Sequence, residues 1–199
     1  MKDIWNDRYK SNNYVYGKAP NIFFAEQLNK LDPGTLILPC EGEGRNAVFA
    51  ATKGWDVIAF DQSEAGKKKA FELAKQNNTS IEYTIVDAND VTMPEGSADM
   101  VAFIYAHFPA AIRKSIHQKA IGWLKQGGIL ILEAFRPEQI DLHSGGPKEI
   151  SMLYTEEMLL EDFSALNIEL LQSLQVELKE GNLHEGIAEL IRFIGRKTN

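Results

Sequence analysis

From residue 35 onward, short apolar runs alternate with longer amphipathic ones, and few folds accept that pattern. Parallel strands need long crossovers, and a crossover helix must bury an apolar stripe. Such units therefore build a parallel sheet with helices on both faces. Strands are expected at 36–38, 56–60, 81–86, 98–105 and 129–134, and helices at 45–53, 63–76 and 109–124. Ala47, Ala50 and Ala51 share a face of the first helix; Ala65, Ala70, Leu73 and Ala74 share one in the second, which Ser63 can cap. Beyond Pro137 come a polar loop at 144–147, a helix near 155–163 and two strand-like runs at 168–179 and 184–196. So short a turn, around Glu180, Gly181 and Asn182, joins only antiparallel strands, which makes a hairpin on the sheet's edge. The expected fold is one α/β domain over 1–199, doubly wound and Rossmann-like. It has about seven strands, five of them parallel plus the C-terminal antiparallel hairpin, with helices on both faces. Residues 1–30, rich in aromatics (Trp5, Tyr9, Tyr14, Tyr16, Phe23, Phe24), form a lid or cap over a ligand-binding core at 35–136, and 137–199 adds the helix and hairpin.

Composition narrows the function classes. With 199 residues and 44% hydrophobic content the chain can fill one core. A formal charge of −7 offers no basic surface for phosphates, so no nucleic-acid partner is expected. The lone cysteine, Cys40, excludes an intrachain disulfide framework and supplies no metal-ligand spacing, so no metal is expected. The opening MKDIWNDRYK is polar, and no run approaches the roughly 20 apolar residues of a membrane span. The expectation is a cytoplasmic protein without a membrane partner, monomeric or homodimeric.

Residues 36–46, LILPCEGEGRN, run from strand through glycine turn into helix, the place where parallel sheets bind ligands. Gly42 and Gly44 permit close approach of a ligand to backbone, and Asp61, closing the second strand, stands where an acid takes ribose hydroxyls. Gly42, Gly44 and Ala47 also fit the GxGxx(G/A) dinucleotide fingerprint. Glu41 and Glu43, however, place two carboxylates in the turn, where a pyrophosphate would be repelled. A phosphate-free, net-cationic adenosyl ligand such as S-adenosylmethionine suits it better.

Here the chain resembles the class I methyltransferases, and among them the small bacterial proteins related to tellurite-resistance and thiopurine methyltransferases. Cys40 to Ala47 is similar to the family's first motif, Asp61-Gln62-Ser63 to its ribose-binding acid, Asp87-Ala88 to the pair flanking adenine, and Leu124 to Gly128 to the turn before strand five. Two positions depart from it, with Cys40 for the usual first glycine and Leu38 for the usual acid of strand one. The resemblance implies S-adenosylmethionine as cofactor, held by Cys40, Glu41, Gly42, Gly44, Arg45, Asn46, Asp61, Gln62, Ser63, Asp87 and Ala88, with Tyr105 and Tyr16 beside it. The implied reaction is methyl transfer to a small-molecule acceptor, with thiols and chalcogen compounds ahead of alcohols and amines. Alignment and exclusion of water do most of that work, and a base is needed only where the acceptor carries a proton. His107, after strand four, and His184, opening the last strand, are the candidate catalytic bases. His117 and His143 read as surface residues, Lys67-Lys68-Lys69 as a solvated helix face, and Arg113 and Arg136 as anion holders or surface salt bridges. A nicotinamide-dependent oxidoreductase and a non-catalytic S-adenosylmethionine-binding module stay open as alternatives.

Overall fold

A computed structural model describes residues 2–198. Helices α1 (Lys2–Tyr9) and α2 (Ile22–Leu28) precede the alternating core: β1 (Thr35–Pro39), α3 (Arg45–Thr52), β2 (Asp56–Asp61), α4 (Glu64–Gln76), β3 (Glu82–Ile85), β4 (Ala98–Ile104), α5 (Ala110–Trp123) and β5 (Leu124–Phe135). Then follow α6 (Glu156–Asp162), β6 (Asn167–Lys179) and β7 (Glu185–Arg196). The seven strands form one sheet in the order β3-β2-β1-β4-β5-β7-β6, with β7 antiparallel between β5 and β6. The Rossmann-like sheet with its C-terminal hairpin is thus present as expected.

Local chemistry explains the boundaries. Ser63 caps α4 by accepting from the Gly66 N–H, and Thr155 caps α6 by accepting from Met158. Central strands are buried on both faces: Leu36, Ile37, Val101, Ala102, Phe103, Leu130, Ile131 and Leu132 have no exposed surface. That is why their sequence reads as continuous apolar runs rather than alternation. One core cluster joins Phe103, Leu130 and Leu132 to Ile116 and Ala120 of α5 and Phe163 beyond α6; another joins Leu36, Leu38 and Met100 to Phe23 and Phe24 of α2. The aromatics at 23 and 24 therefore belong to the core, while Trp5 and Tyr16 lie over the open end of the sheet.

Three polar residues are placed differently from expectation. His117 is fully buried, bonded through Nδ1 to Asp162 at 2.8 Å, and Arg113 donates to the same carboxylate at 2.7 Å. His117 and Arg113 together tie α5 to α6 through Asp162. Their sequence signal was weak because both residues sit in a polar-looking helix whose inward face carries them. Lys69 is buried as well, with its ammonium on Glu43 at 2.6 Å and on the Asn13 carbonyl at 2.7 Å. A run of three lysines on a helix points in three directions, and only one of them is inward.

Candidate active site

Strand order reverses between β1 and β4, which is where a doubly wound sheet opens a crevice beyond its strand ends. Both flanking strands end in a non-glycine residue in the left-handed conformation, Cys40 after β1 (φ 56°) and Tyr105 after β4 (φ 53°). Such conformations cost about 1–3 kcal/mol and collect at functional sites. Between them lies a cavity of about 410 Å³, covered by α1 and by residues 146–148 and Met152. Of the expected site residues, Cys40, Glu41, Arg45, Asn46, Asp61, Gln62, Asp87, Ala88, Tyr105, Tyr16, His107 and His184 line this one cavity; Gly42, Gly44 and Ser63 do not.

The turn is built from its carboxylates. Glu41 Oε1 accepts from the N–H groups of Asn46 and Ala47, both at 2.8 Å, so the N-terminus of α3 is closed by the chain's own carboxylate. A dinucleotide's pyrophosphate would need those donors; a donor without phosphate does not. Burial lifts the Glu41 pKa to about 7, against the downward pull of the Ala47 N–H and the Arg45 charge. Glu43 also lines the cavity, and it is buried. Besides its Lys69 pair it accepts from the Val15 N–H at 2.8 Å, pinning the segment that carries Tyr14 and Tyr16. The glycines serve packing: a Cβ on Gly44 (φ 86°) would stand 2.4 Å from the Ala70 Cβ of α4, and one on Gly42 2.6 Å from the Tyr9 hydroxyl. The Ser63 hydroxyl caps α4 by accepting from the Gly66 N–H.

Asp61 is buried at the end of β2, with Oδ1 on the Ser63 N–H at 2.8 Å and Oδ2 on the Gly42 N–H at 3.2 Å. The Gln62 N–H adds a further donor, and Asp61 lines the cavity. Burial raises its pKa to about 6 despite those N–H groups. Asp87 is exposed at the mouth, and Ala88 is buried beside it.

The two histidines differ in what they can offer. His107 has both nitrogens engaged, Nδ1 at 2.7 Å from the Met152 carbonyl and Nε2 at 3.2 Å from the Phe135 N–H. Because that N–H can only donate, Nε2 must accept and Nδ1 must carry the proton. No lone pair remains, and burial lowers its pKa to about 4. His184 lies between Tyr16 and Tyr105, both with ring centroids 4.4 Å away, and close to Phe135. Its Nδ1 is buried without a hydrogen-bond partner, and the residue lines the cavity. Burial, more than any neighbouring charge, lowers the His184 pKa.

Behind this wall stands a polar network that the sequence did not announce. Glu133 of β5 accepts from Asn21 at 2.6 Å, Tyr105 at 3.0 Å and Arg192 at 2.6 Å. Glu180 accepts from Arg45 at 2.8 Å and Asn21 at 3.1 Å. One signal was available: Glu133 is a lone charge in the apolar run ILILEAF, and a charge so placed needs partners. Arg8 also went unnoticed; it lines the mouth and donates to the Tyr16 hydroxyl at 2.9 Å. Arg113 and Arg136 lie away from the cavity; Arg136 pairs with Glu138 at 2.8 Å and Glu189 at 3.3 Å. Among the described residues no cluster of His, Cys, Asp and Glu could hold a metal, and no helix is long and apolar enough to cross a membrane.

Comparison with known proteins agrees with this geometry. Residues 39–128, the span holding the glycine turn, Asp61, Asp87 and Tyr105, match the family described as a methyltransferase domain. No curated protein matches the sequence significantly. Among solved structures, the fold is similar to that of a protein studied for the conversion of a disulfide bond into a thioacetal group during echinomycin biosynthesis (TM-score 0.78, 14% identity, covering 100% of this chain and 92% of that one). It is similar also to TehB from Haemophilus influenzae (0.73, 18%, 99% and 67%) and to the N-methyltransferase NodS from Bradyrhizobium japonicum WM9 (0.66, 14%, 90% and 99%). Residues 39–128 thus match a methyltransferase domain, and the chain shares the fold of these solved structures.

Proposed function

We propose that the protein transfers the methyl group of S-adenosylmethionine to a small thiol or chalcogen acceptor, with His184 as the base that receives the acceptor's proton. Asp61 accepts from the ribose hydroxyls, Asp87 and Ala88 flank the adenine, and Tyr16 and Tyr105 cover the reacting end. The observation that carries this is that His184 lines the same cavity as Asp61, packed between Tyr16 and Tyr105. At about 410 Å³ the cavity is near the lower end of the roughly 300–1,000 Å³ of ligand pockets, so a bound donor leaves room only for a small partner. That partner's surroundings are Tyr105, Phe108, Phe135, Met152 and His184, a soft, aromatic wall that suits a polarizable sulfur or heavier chalcogen. The resemblance to the tellurite-resistance-like subgroup and the sulfur chemistry of the echinomycin-pathway neighbour point the same way.

In the reaction His184 Nε2 takes the S–H proton while the sulfur lone pair forms a bond to the methyl carbon. The carbon's bond to the sulfonium breaks, its electron pair stays on that sulfur, and the imidazolium then loses its proton to solvent. The surrounding rings exclude water and align the two sulfurs.

Turnover of wild type, His184→Ala and His107→Ala against a small thiol across about pH 5.5–9 tests the assignment. His184→Ala should lose about 10²–10⁴-fold where the acceptor is a neutral thiol, and much less near pH 9, where the thiolate forms unaided. His107→Ala should keep the wild-type pH profile. Equal small losses for both variants at every pH would remove His184 from the chemistry.

A further inference from the structure

The base just assigned has a neighbour whose position its own role does not explain. Glu180 and His184 sit on one hydrogen-bonded turn between β6 and β7: the Glu180 N–H donates to the His184 carbonyl at 2.9 Å, and the His184 N–H to the Gly181 carbonyl at 3.0 Å. Their backbones are therefore fixed relative to one another. The Glu180 carboxylate is held from two other elements, by Arg45 Nη2 of α3 and by Asn21 Nδ2. On the far side of the ring, a Cβ on Gly145 would stand 2.6 Å from His184 Cδ2 and 3.0 Å from Nε2, so the 144–147 loop confines the imidazole there. Nδ1 is left buried and unbonded, 3.9 Å from Glu180 Oε2.

Resting on the assignment of His184 as base, we propose that Glu180 is its positioning residue: it accepts a hydrogen bond from His184 Nδ1–H, fixing the tautomer that turns the Nε2 lone pair to the acceptor and stabilising the imidazolium formed there. A buried N–H without an acceptor costs about 1–3 kcal/mol, so a carboxylate this close is its natural partner. A shift of about 1 Å brings the pair to charge-assisted bonding distance, and such contacts commonly tighten only when substrate is bound. Other groups facing His184 do not substitute for it. Arg45 and Arg8 are cations that oppose its protonation, His107 is neutral with both nitrogens used, and the Tyr16 and Tyr105 hydroxyls point to Arg8 and Glu133. Arg45 also donates to the Tyr16 carbonyl at 3.1 Å, so the same guanidinium that steadies Glu180 holds the cap over the donor. Turn, donor helix and cap thereby meet at one carboxylate.

The test combines nitrogen NMR of the His184 ring in the wild-type chain with kinetics of Glu180→Gln and Glu180→Asp on a neutral thiol. In wild type with S-adenosylhomocysteine bound, Nδ1 should carry the proton below the acceptor's pKa; an Nε2–H tautomer overturns the proposal whatever the variants do. For Glu180→Gln the activity lost as His184 protonates should move to lower pH by about one unit, because the carboxylate that favours the charged ring is gone, with kcat falling about tenfold. The Glu180→Asp variant keeps the charge and should retain the wild-type pH limb while losing part of kcat. A Glu180→Gln enzyme with wild-type kcat and pH profile, alongside a strongly impaired His184→Ala, overturns the role of Glu180 and leaves His184 as base. If His184→Ala is itself unimpaired, the assignment of the base has failed first.

Discussion

At Asp61, burial and hydrogen bonding pull in opposite directions: desolvation raises the carboxyl pKa to about 6, while the N–H groups of Ser63, Gly42 and Gln62 favour the anion. If the anion is the form that accepts ribose hydroxyls, donor affinity should be flat above about pH 6 and fall by up to tenfold per unit below it. Asp61→Asn should remove that dependence and weaken S-adenosylhomocysteine by about 1–3 kcal/mol, read by calorimetry at several pH values. An unchanged Kd and slope would take Asp61 out of the site. This residue was legible because an acid closing the second strand of such a sheet has a geometric reason to be there. His107 was legible in position but not in role. The sequence brings it to the cavity after β4, yet only the fold reveals that Met152 and Phe135 occupy its nitrogens. Cys40, the single cysteine, lines the cavity with its thiol pKa raised by burial. Alkylation by a small maleimide should therefore be slow and should stop when S-adenosylhomocysteine is bound; equal labelling rates with and without ligand would place the donor elsewhere.

At the scale of elements, the glycine turn is where α1, α3 and α4 come together. Gly44 lets α3 approach α4 and Gly42 lets α1 approach the turn, so both are demands of packing between helices. Gly44→Val should consequently destabilise the fold by several kcal/mol, through both the Ala70 clash and the left-handed backbone, and a melt should show it without any ligand. A stable Gly44→Val protein that merely fails to bind the donor would point instead to a direct role at the site. The turn's carboxylates were half legible. Repulsion of phosphate followed from Glu41 and Glu43 as charges, but that Glu41 closes the α3 N-terminus and Glu43 clamps the cap depends on contacts with Asn46, Ala47, Lys69 and Val15 across 5 to 28 positions of sequence.

For the molecule as a whole, alternation of apolar and amphipathic runs was enough to specify seven strands, their parallel core and the antiparallel hairpin, because each of those follows from local period and loop length. Strand order was not written so plainly. Placement of β7 between β5 and β6 comes from register along β5, where Ile131 pairs with Ile194 and Glu133 with Arg192. That pairing brings His184 to the cavity, and no local pattern encodes it. Methyl transfer to a small soft acceptor is the claim on which these parts converge. Its most direct measurement is a single-turnover experiment with methyl-labelled S-adenosylmethionine and parallel thiol, selenol, alcohol and amine acceptors of a few heavy atoms each. Label should appear on sulfur or selenium, with S-adenosylhomocysteine formed in equal amount, and transfer to alcohol or amine should be far slower. Tight donor binding with no transfer to sulfur or selenium, or transfer confined to the alcohol and amine, would contradict the account.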